Sequence, residues 1–243
     1  MGRISTGISE LDTKLSGGYP EGKAILLTGT PGAGKTMFGL HFVQRSVIDG
    51  KKCIHIAAEE SPEDILTLAE VLGLDLRPYL DSGQLRIERV FDARTESAEM
   101  SAQLGFGFET TEINLLEQVK LVPDDADAVV IDNVGVFALD ICAKEFWDLL
   151  DTISRLLVMD EAAHNLTHGI AEYSAYGSIK LMMKENPYTG VRGRYLDIPK
   201  MRSTELSPEL SVFDIPSEGI KIRKSKTKIG YGCMIRGAKM MGG

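Results

Sequence analysis

One eight-residue stretch near the amino end has the composition and spacing of a phosphate-binding loop. It matches G-x-x-x-x-G-K-[ST] at every required position and lies between a predicted strand and a predicted helix. In such a loop, glycines let successive backbone N–H groups turn toward phosphate oxygens, and the lysine reaches the β- and γ-phosphates. That context disfavours a glycine-rich turn that fits the pattern by chance. The residues predicted to bind ATP here are Gly29, Thr30, Pro31, Gly32, Ala33, Gly34, Lys35, Thr36 and Met37.

A second acid for a magnesium ion is predicted at Asp132. This aspartate ends the apolar run Ala-Val-Val-Ile-Asp, which reads as a buried strand. A carboxylate at the end of such a strand can hold a magnesium-bound water beside the phosphate loop, while the Thr36 hydroxyl ligates the ion directly. The alternative is a solvated aspartate at a strand end. Because the phosphate loop is present, we expect instead that Thr36 and Asp132 form the metal site.

Two glutamates follow another predicted strand. Glu59 and Glu60 emerge after residues 53–58, at the carboxyl edge of the sheet, where ligands of open α/β sheets bind. A carboxylate there can orient and partly deprotonate the water that attacks the γ-phosphorus. Acidic residues are also favoured ahead of a helix amino terminus. Spacing alone does not separate a catalytic base from exposed acids.

The elements that must position these groups alternate between strand and helix. Such alternation predicts an α/β fold of three layers: a mostly parallel, twisted sheet with helices on both faces. The strands are expected over residues 24–28, 53–58, 85–90 and 128–132, and the helices over residues 37–48, 61–73 and 112–122.

The carboxyl-terminal half is predicted to extend the sheet in antiparallel fashion. Residues 178–182 and 194–200 read as strands around a turn at 186–190. We expect one domain over residues 1–222 and a basic, Gly/Met-rich tail over residues 223–243, with a long surface loop at 92–111. Residues 144–157 read as a helix, yet residues 156–159 are apolar enough for the next strand, and a helix-to-strand connection usually needs a few residues. Either that helix ends by Asp151 or the chain is compressed here.

Composition limits the possible partners. The 27 basic and 35 acidic residues give a net charge of −8, which offers no general attraction to nucleic acid. The three cysteines are widely spaced, and neither they nor the histidines suggest a disulfide framework or a metal other than magnesium. No apolar run has the length of a signal peptide core or a membrane span, so we expect a cytoplasmic protein without a membrane partner.

These motifs together resemble the KaiC-like branch of the RecA superfamily of P-loop ATPases. The resemblance covers roughly residues 4–223, from Ile-Ser-Thr-Gly-Ile-Ser-Glu-Leu-Asp at residues 4–12, through the loop and Ala-Glu-Glu-Ser-Pro-Glu at residues 58–63, to the closing segment at residues 213–222. It implies a RecA-like core and a single-domain relative of the tandem clock form. It also implies that Glu59 is the water-activating base, that Glu60 supports it, and that Lys35 belongs to the catalytic group.

The resemblance further implies an active site shared between subunits. Lys200-Met-Arg202 looks like the Lys-x-Arg motif that hexameric relatives extend to the γ-phosphate of a neighbour. A cation supplied in this way stabilises charge on the transferred phosphoryl group. Lys200 and Arg202 as ordinary surface cations remain the alternative.

Three departures from the family pattern stand out. Asn133 follows Asp132 where relatives have serine, and the stretch between Asp132 and Gly169 is shorter, leaving little room for a regular strand at 156–160. The phosphorylated Ser-Thr pair of the clock protein would fall at Glu172-Tyr173, so kinase activity of that type is disfavoured.

Three functions are compatible with these residues. The first is a slow, magnesium-dependent ATPase in a ring-like homo-oligomer, a hexamer by resemblance. The second is a nucleotide-gated regulatory or scaffold protein with little turnover that controls a protein partner. The third, a DNA-handling recombinase relative, is disfavoured because the loop at 92–111 is acidic and the tail is the only obvious cationic segment.

Overall fold

The computed structural model describes residues 1–57, 60–89, 122–123, 125–133, 154–160, 171–185 and 190–223. The strands within these ranges are β1 (Arg3–Ile4), β2 (Tyr19–Pro20), β3 (Ala24–Gly29), β4 (Cys53–Ala57), β5 (Leu85–Arg89), β6 (Ala128–Asp132), β7 (Ser154–Asp160), β8 (Gly177–Glu185), β9 (Arg192–Met201), β10 (Ser211–Asp214) and β11 (Lys221–Arg223). The helices are α1 (Ser9–Lys14), α2 (Lys35–Ile48), α3 (Pro62–Val71) and α4 (Arg77–Asp81).

Nine of the described strands form one sheet in the order β11-β10-β9-β8-β3-β7-β6-β4-β5. From β8 to β5 neighbouring strands are parallel, whereas β8, β9, β10 and β11 pair antiparallel. The predicted α/β class, the mostly parallel sheet and the antiparallel extension are therefore confirmed. The carboxyl ends of the parallel strands meet at one edge of the sheet, and the phosphate loop follows β3 at that edge.

The central strands are buried on both faces. On one face α2 packs against β6 so closely that a Cβ at Gly39 would lie 3.2 Å from Val130 Cγ1. The side chains of the other face are also fully buried, among them Leu26, Val129 and Leu157. Burial on both faces explains why these strands are continuous apolar runs. The third predicted helix, at 112–122, falls almost entirely outside the described residues.

The alternative in which the predicted helix continues to residue 157 is wrong. Residues 154–157 belong to β7, a regular strand that pairs with β3 from Ala24↔Arg155 to Gly29↔Asp160, and with β6 on its other side. The expectation that this stretch has little room for a strand is also wrong. The rest of that segment, residues 144–153, lies outside the described residues.

The start of α3 illustrates how local sequence defines an element. Ser61 Oγ accepts a hydrogen bond from Asp64 N, and the Asp64 carboxylate accepts from Ser61 N, which completes a capping box with Pro62 in the first turn. The Ser61 hydroxyl also donates to Asp64 Oδ2 at 2.6 Å, and this bond, together with the one from Ser61 N, lowers the pKa of Asp64. The predicted helix start is confirmed.

Three predicted features cannot be compared with the structure. The loop at 92–111, the turn at 186–189 and the tail from residue 224 lie outside the described residues. Among the described helices, none has the length and apolar content needed to cross a membrane.

Candidate nucleotide site

The phosphate loop connects β3 directly to α2. Gly32 and Gly34 have φ values of 76° and 104°, the left-handed region that favours glycine. Gly34 also precedes the first helical residue, and a Cβ there would lie 2.7 Å from Ile215 Cδ1. At Gly32 a Cβ would meet nothing within 4 Å. The loop thus needs glycine at positions 32 and 34 for conformation, and a Cβ at position 34 would also displace the end of the Ile215 side chain.

The first residue of the loop is a glycine for a different reason. Gly29 ends β3 beside β8, and a Cβ there would lie 2.6 Å from the Leu181 carbonyl oxygen. A larger residue would push β3 away from β8 at the point where the chain leaves the sheet. Pro31 is exposed at the tip of the loop and Ala33 is buried beneath it. The Ala33 N–H donates to Thr30 O at 3.1 Å and closes the turn.

Lys35 folds back over the loop. The residue is 8% exposed, and Nζ donates to the carbonyl oxygens of Gly29 and Thr30, each at 3.2 Å. A cation held against the loop backbone is placed to contact phosphate oxygens that bind there. Met37 packs against the hydrophobic core below the loop.

Asp132 lies at the same sheet edge, on the same face as α2. It is 5% exposed, and its register partners are Val158 on β7 and Ala57 on β4. Side chains two residues apart in a strand share a face, so Asp132 points to the side on which α2 packs against Val130. Hydroxyl and carboxylate oxygens are the donors that Mg²⁺ prefers. The half-buried Thr36 and the buried Asp132 are therefore chemically suited to hold a magnesium ion.

Of the two predicted catalytic glutamates, Glu60 is described and Glu59 is not. Glu60 is exposed between β4 and α3, immediately before the Ser61 cap. Ala57, which ends β4 two residues before Glu59 in sequence, is level with Asp132 in the sheet. The assignment of Glu59 as the base stays a prediction.

Lys200 and Arg202 lie at the opposite edge of the sheet. The Arg202 N–H donates to Tyr176 O, and the Tyr176 N–H donates to Ala24 O, which makes Arg202 level with the first residue of β3. The phosphate loop begins five residues further on, roughly 16 Å away at the usual rise per residue. These cations therefore do not meet the phosphate loop of their own chain.

Lys200 is held by backbone carbonyls. Its Nζ donates to Glu172 O at 3.1 Å and Tyr173 O at 2.9 Å. Burial lowers the pKa of Lys200, and the nearby Arg202 lowers it further.

Sequence reasoning missed the contacts that brace the loop from the carboxyl-terminal segment. Besides the Ile215 contact with Gly34, the Ile220 N–H donates to His41 Nε2 at 3.1 Å, and burial lowers the pKa of this histidine. His41 is itself buried. The two partners are 179 residues apart in sequence, so no local pattern could have indicated the contact. Within the described part of the chain, no cluster of three or more metal-ligating side chains is present.

Comparison with known proteins identifies the family. The family described as "ATPase: KaiC" matches residues 4–227, and the chain therefore belongs to the KaiC ATPase family. This confirms the resemblance drawn from the sequence and supports an ATP-binding P-loop protein.

Individual relatives fall into two size classes. A UPF0273 protein of Methanopyrus kandleri is 30% identical over 236 residues, covering 92% of this chain and 93% of that protein. The circadian clock oscillator protein KaiC of Synechococcus elongatus is 28% identical, and the match spans all of this chain and 50% of the length of that protein. A crystal structure of a KaiC-like protein from Pyrococcus horikoshii superposes with a TM-score of 0.70 at 23% identity, covering 92% of this chain and 99% of that one. The structural likeness supports the fold.

Proposed function

We propose that this protein is a slow, magnesium-dependent ATPase whose active sites are completed across subunit boundaries of a ring-like homo-oligomer, most simply a hexamer. The observation that carries the proposal is the separation of two half-sites by the length of β3. The loop, Lys35 and Asp132 lie at one end, whereas Lys200 and Arg202 lie at the other.

The first half-site binds the nucleotide. The loop N–H groups and the amino terminus of the 14-residue α2 attract the phosphates, and Lys35 contacts the β- and γ-phosphates. A magnesium ion held by Thr36 and Asp132 would neutralise charge on these phosphates. Glu59, supported by Glu60, is assigned to orient the attacking water and accept its proton.

The second half-site supplies positive charge to a neighbour. Lys200 and Arg202 are too far from their own loop, so a useful contact requires another copy whose loop meets this edge. A heterologous contact of this kind closes into a ring when its rotation closes. An arginine supplied across such a boundary is worth roughly 10³ to 10⁵ in turnover in other phosphoryl-transfer enzymes.

Assembly and turnover test the proposal together. Particle mass measured by light scattering is expected to correspond to an oligomer with ATP and Mg²⁺, and turnover per subunit is expected to rise with protein concentration. Glu59→Gln is expected to bind ATP but release little phosphate. A protein that stays monomeric both with and without ATP and Mg²⁺, yet shows full turnover, would rule out the shared site. Undiminished turnover in Glu59→Gln would rule out the assigned base.

The alternative is a nucleotide-gated regulatory protein that acts on a protein partner. It uses the same loop and the same assembly but does not need rapid hydrolysis. Single-turnover measurement of γ-phosphate release in the assembled state distinguishes the two, because negligible release would favour the switch.

A further inference from the structure

Tyr176 makes three different contacts with the turn that carries Arg202. Its backbone carbonyl accepts a hydrogen bond from the Arg202 N–H at 3.2 Å. Its ring lies 5.9 Å from the Arg202 guanidinium carbon, within cation–π range. Its hydroxyl lies 2.7 Å from Ser203 Oγ. One side chain therefore contacts the guanidinium and also the residue that follows it.

The turn itself is fixed from a second side. Ser203 has a φ of 59°, a conformation that non-glycine residues rarely adopt. Its carbonyl accepts a hydrogen bond from Arg3 Nη2 at 2.6 Å, and Arg3 Nη1 donates to Gly18 O. The backbone at 202–203 is thus tied to both Tyr176 and the amino-terminal segment.

The Arg202 side chain needs such support because it is exposed and long. Free arginine side chains sample many rotamers, and this freedom is lost when the guanidinium must hold one position. Among the described residues, Arg202 forms no ion pair that would restrict it. The Tyr176 ring holds the guanidinium without neutralising it, whereas a carboxylate would compete with the phosphate for the same charge.

We propose that Tyr176 is a positioning residue for Arg202, holding the guanidinium in the orientation in which it contacts the nucleotide of the neighbouring subunit. This inference rests on the proposed function, because Arg202 must act across a subunit boundary. It goes further by assigning a role to a residue that neither the phosphate loop nor the Lys-x-Arg motif contains.

Lys23 provides a matched control. Its Nζ lies 5.7 Å from the centre of the same ring, but it precedes β3 and is not part of the 202–203 turn. Removing it, as Lys23→Met, changes the charge around the ring and leaves every contact between Tyr176 and the turn in place. The control separates positioning of Arg202 from a general effect of positive charge at this edge.

The test compares steady-state ATP hydrolysis by Tyr176→Phe, Tyr176→Leu, Lys23→Met and Arg202→Ala in the full chain. Tyr176→Leu is expected to lower kcat roughly 10-fold to 100-fold, the range for a misplaced catalytic group, with KM for ATP unchanged because each subunit keeps its own loop. Tyr176→Phe keeps the ring and should stay within about 3-fold of wild type. Lys23→Met should stay within about 2-fold.

A double variant makes the assignment specific. In the Arg202→Ala background, Tyr176→Leu should cause no further loss, since residues that act as a unit are not additive. Equal losses in both backgrounds would overturn the proposal. So would an unchanged kcat in Tyr176→Leu, or a loss in Lys23→Met as large as that in Tyr176→Leu. Light scattering and thermal unfolding identify a Tyr176→Leu protein that fails to assemble. Tyr176→Met, a flexible apolar side chain without a ring, then repeats the comparison in an assembled protein. A loss confined to kcat is expected there, and no loss refutes the proposal.

The outcomes also separate this inference from the proposed function. If Arg202→Ala lowers kcat but Tyr176→Leu does not, the shared active site stands and the role of Tyr176 falls. If Arg202→Ala keeps full turnover, the shared active site falls and the role of Tyr176 falls with it.

Discussion

His55 should make the stability of this protein depend on pH. The imidazole lies in the middle of β4, fully buried between Val130 of β6 and Ile87 of β5. Among the described residues, neither ring nitrogen has a hydrogen-bond partner. Burial lowers the pKa of His55 from 6.5 to about 4. The folded protein therefore keeps this side chain neutral where the unfolded chain is protonated.

The sign and size of the effect follow from this difference in pKa. Because the unfolded state binds the extra proton, unfolding free energy is lost as pH falls through 6.5 toward about 4. The whole difference amounts to roughly 3 kcal/mol, and about 2 kcal/mol of it is lost between pH 7 and pH 5. Replacing His55 with leucine should remove that loss. It should also stabilise the protein at pH 7 by about 1 kcal/mol, since an unpartnered buried polar group is costly.

The assay is urea unfolding of wild type and His55→Leu at one protein concentration, without nucleotide, at several pH values from 5 to 7. His41 titrates in both proteins, so the difference between the two curves isolates His55. The expected result is a gap that widens by about 2 kcal/mol as pH falls to 5. Parallel curves over this range would show that His55 is not a neutral buried group, and the reasoning would be refuted.

Three other predictions concern the loop, the metal and a helix cap. Gly34→Ala adds a Cβ at a φ of 104°, where it would lie 2.7 Å from Ile215 Cδ1, so ATP affinity measured by calorimetry should fall more than about 10-fold. The control Gly50→Ala, at a φ of 80° with open space around it, should cost about 1 kcal/mol of stability and leave ATP affinity unchanged. Equal losses of affinity in the two variants would count against the loop geometry. Asp132→Asn should raise the magnesium concentration needed for half-maximal turnover at least about 10-fold, and an unaltered magnesium titration would remove Asp132 from the metal site. Ser61→Ala breaks the capping box and should cost about 1 kcal/mol in urea unfolding without weakening ATP binding; a loss of affinity instead would mean that the cap shapes the nucleotide site.

Local chemistry explains which parts of the fold were predictable. The loop, the helix start at Ser61 and the strands at 24–29, 53–57 and 128–132 are each defined by residues adjacent in sequence, and each is present. The strand β7 was misjudged because a strand buried on both faces is a continuous apolar run, which periodicity cannot distinguish from a buried helix. Its place is decided by pairing with β3 and β6, which is tertiary information.

The supporting contacts of the site were not predictable for a related reason. Ile215 over Gly34, Ile220 on His41, and Tyr176 beside Arg202 join residues that are distant in sequence and follow no spacing rule. The motif Lys-x-Arg indicated a role for Lys200 and Arg202, but only the register of the sheet shows that their own loop lies at its far edge. Sequence therefore identified candidate chemical groups, and the topology determined which of them can act together.

Complementation between two variants tests the shared active site most directly. Lys35→Ala lacks a working phosphate loop and Arg202→Ala lacks the cation for its neighbour, so each alone should be nearly inactive. When the two are mixed and co-assembled in equal amounts, about a quarter of the subunit boundaries join an intact loop to an intact arginine. Turnover should then recover to about a quarter of the wild-type rate. A mixed assembly that stays as inactive as its parents would contradict an active site built from two subunits.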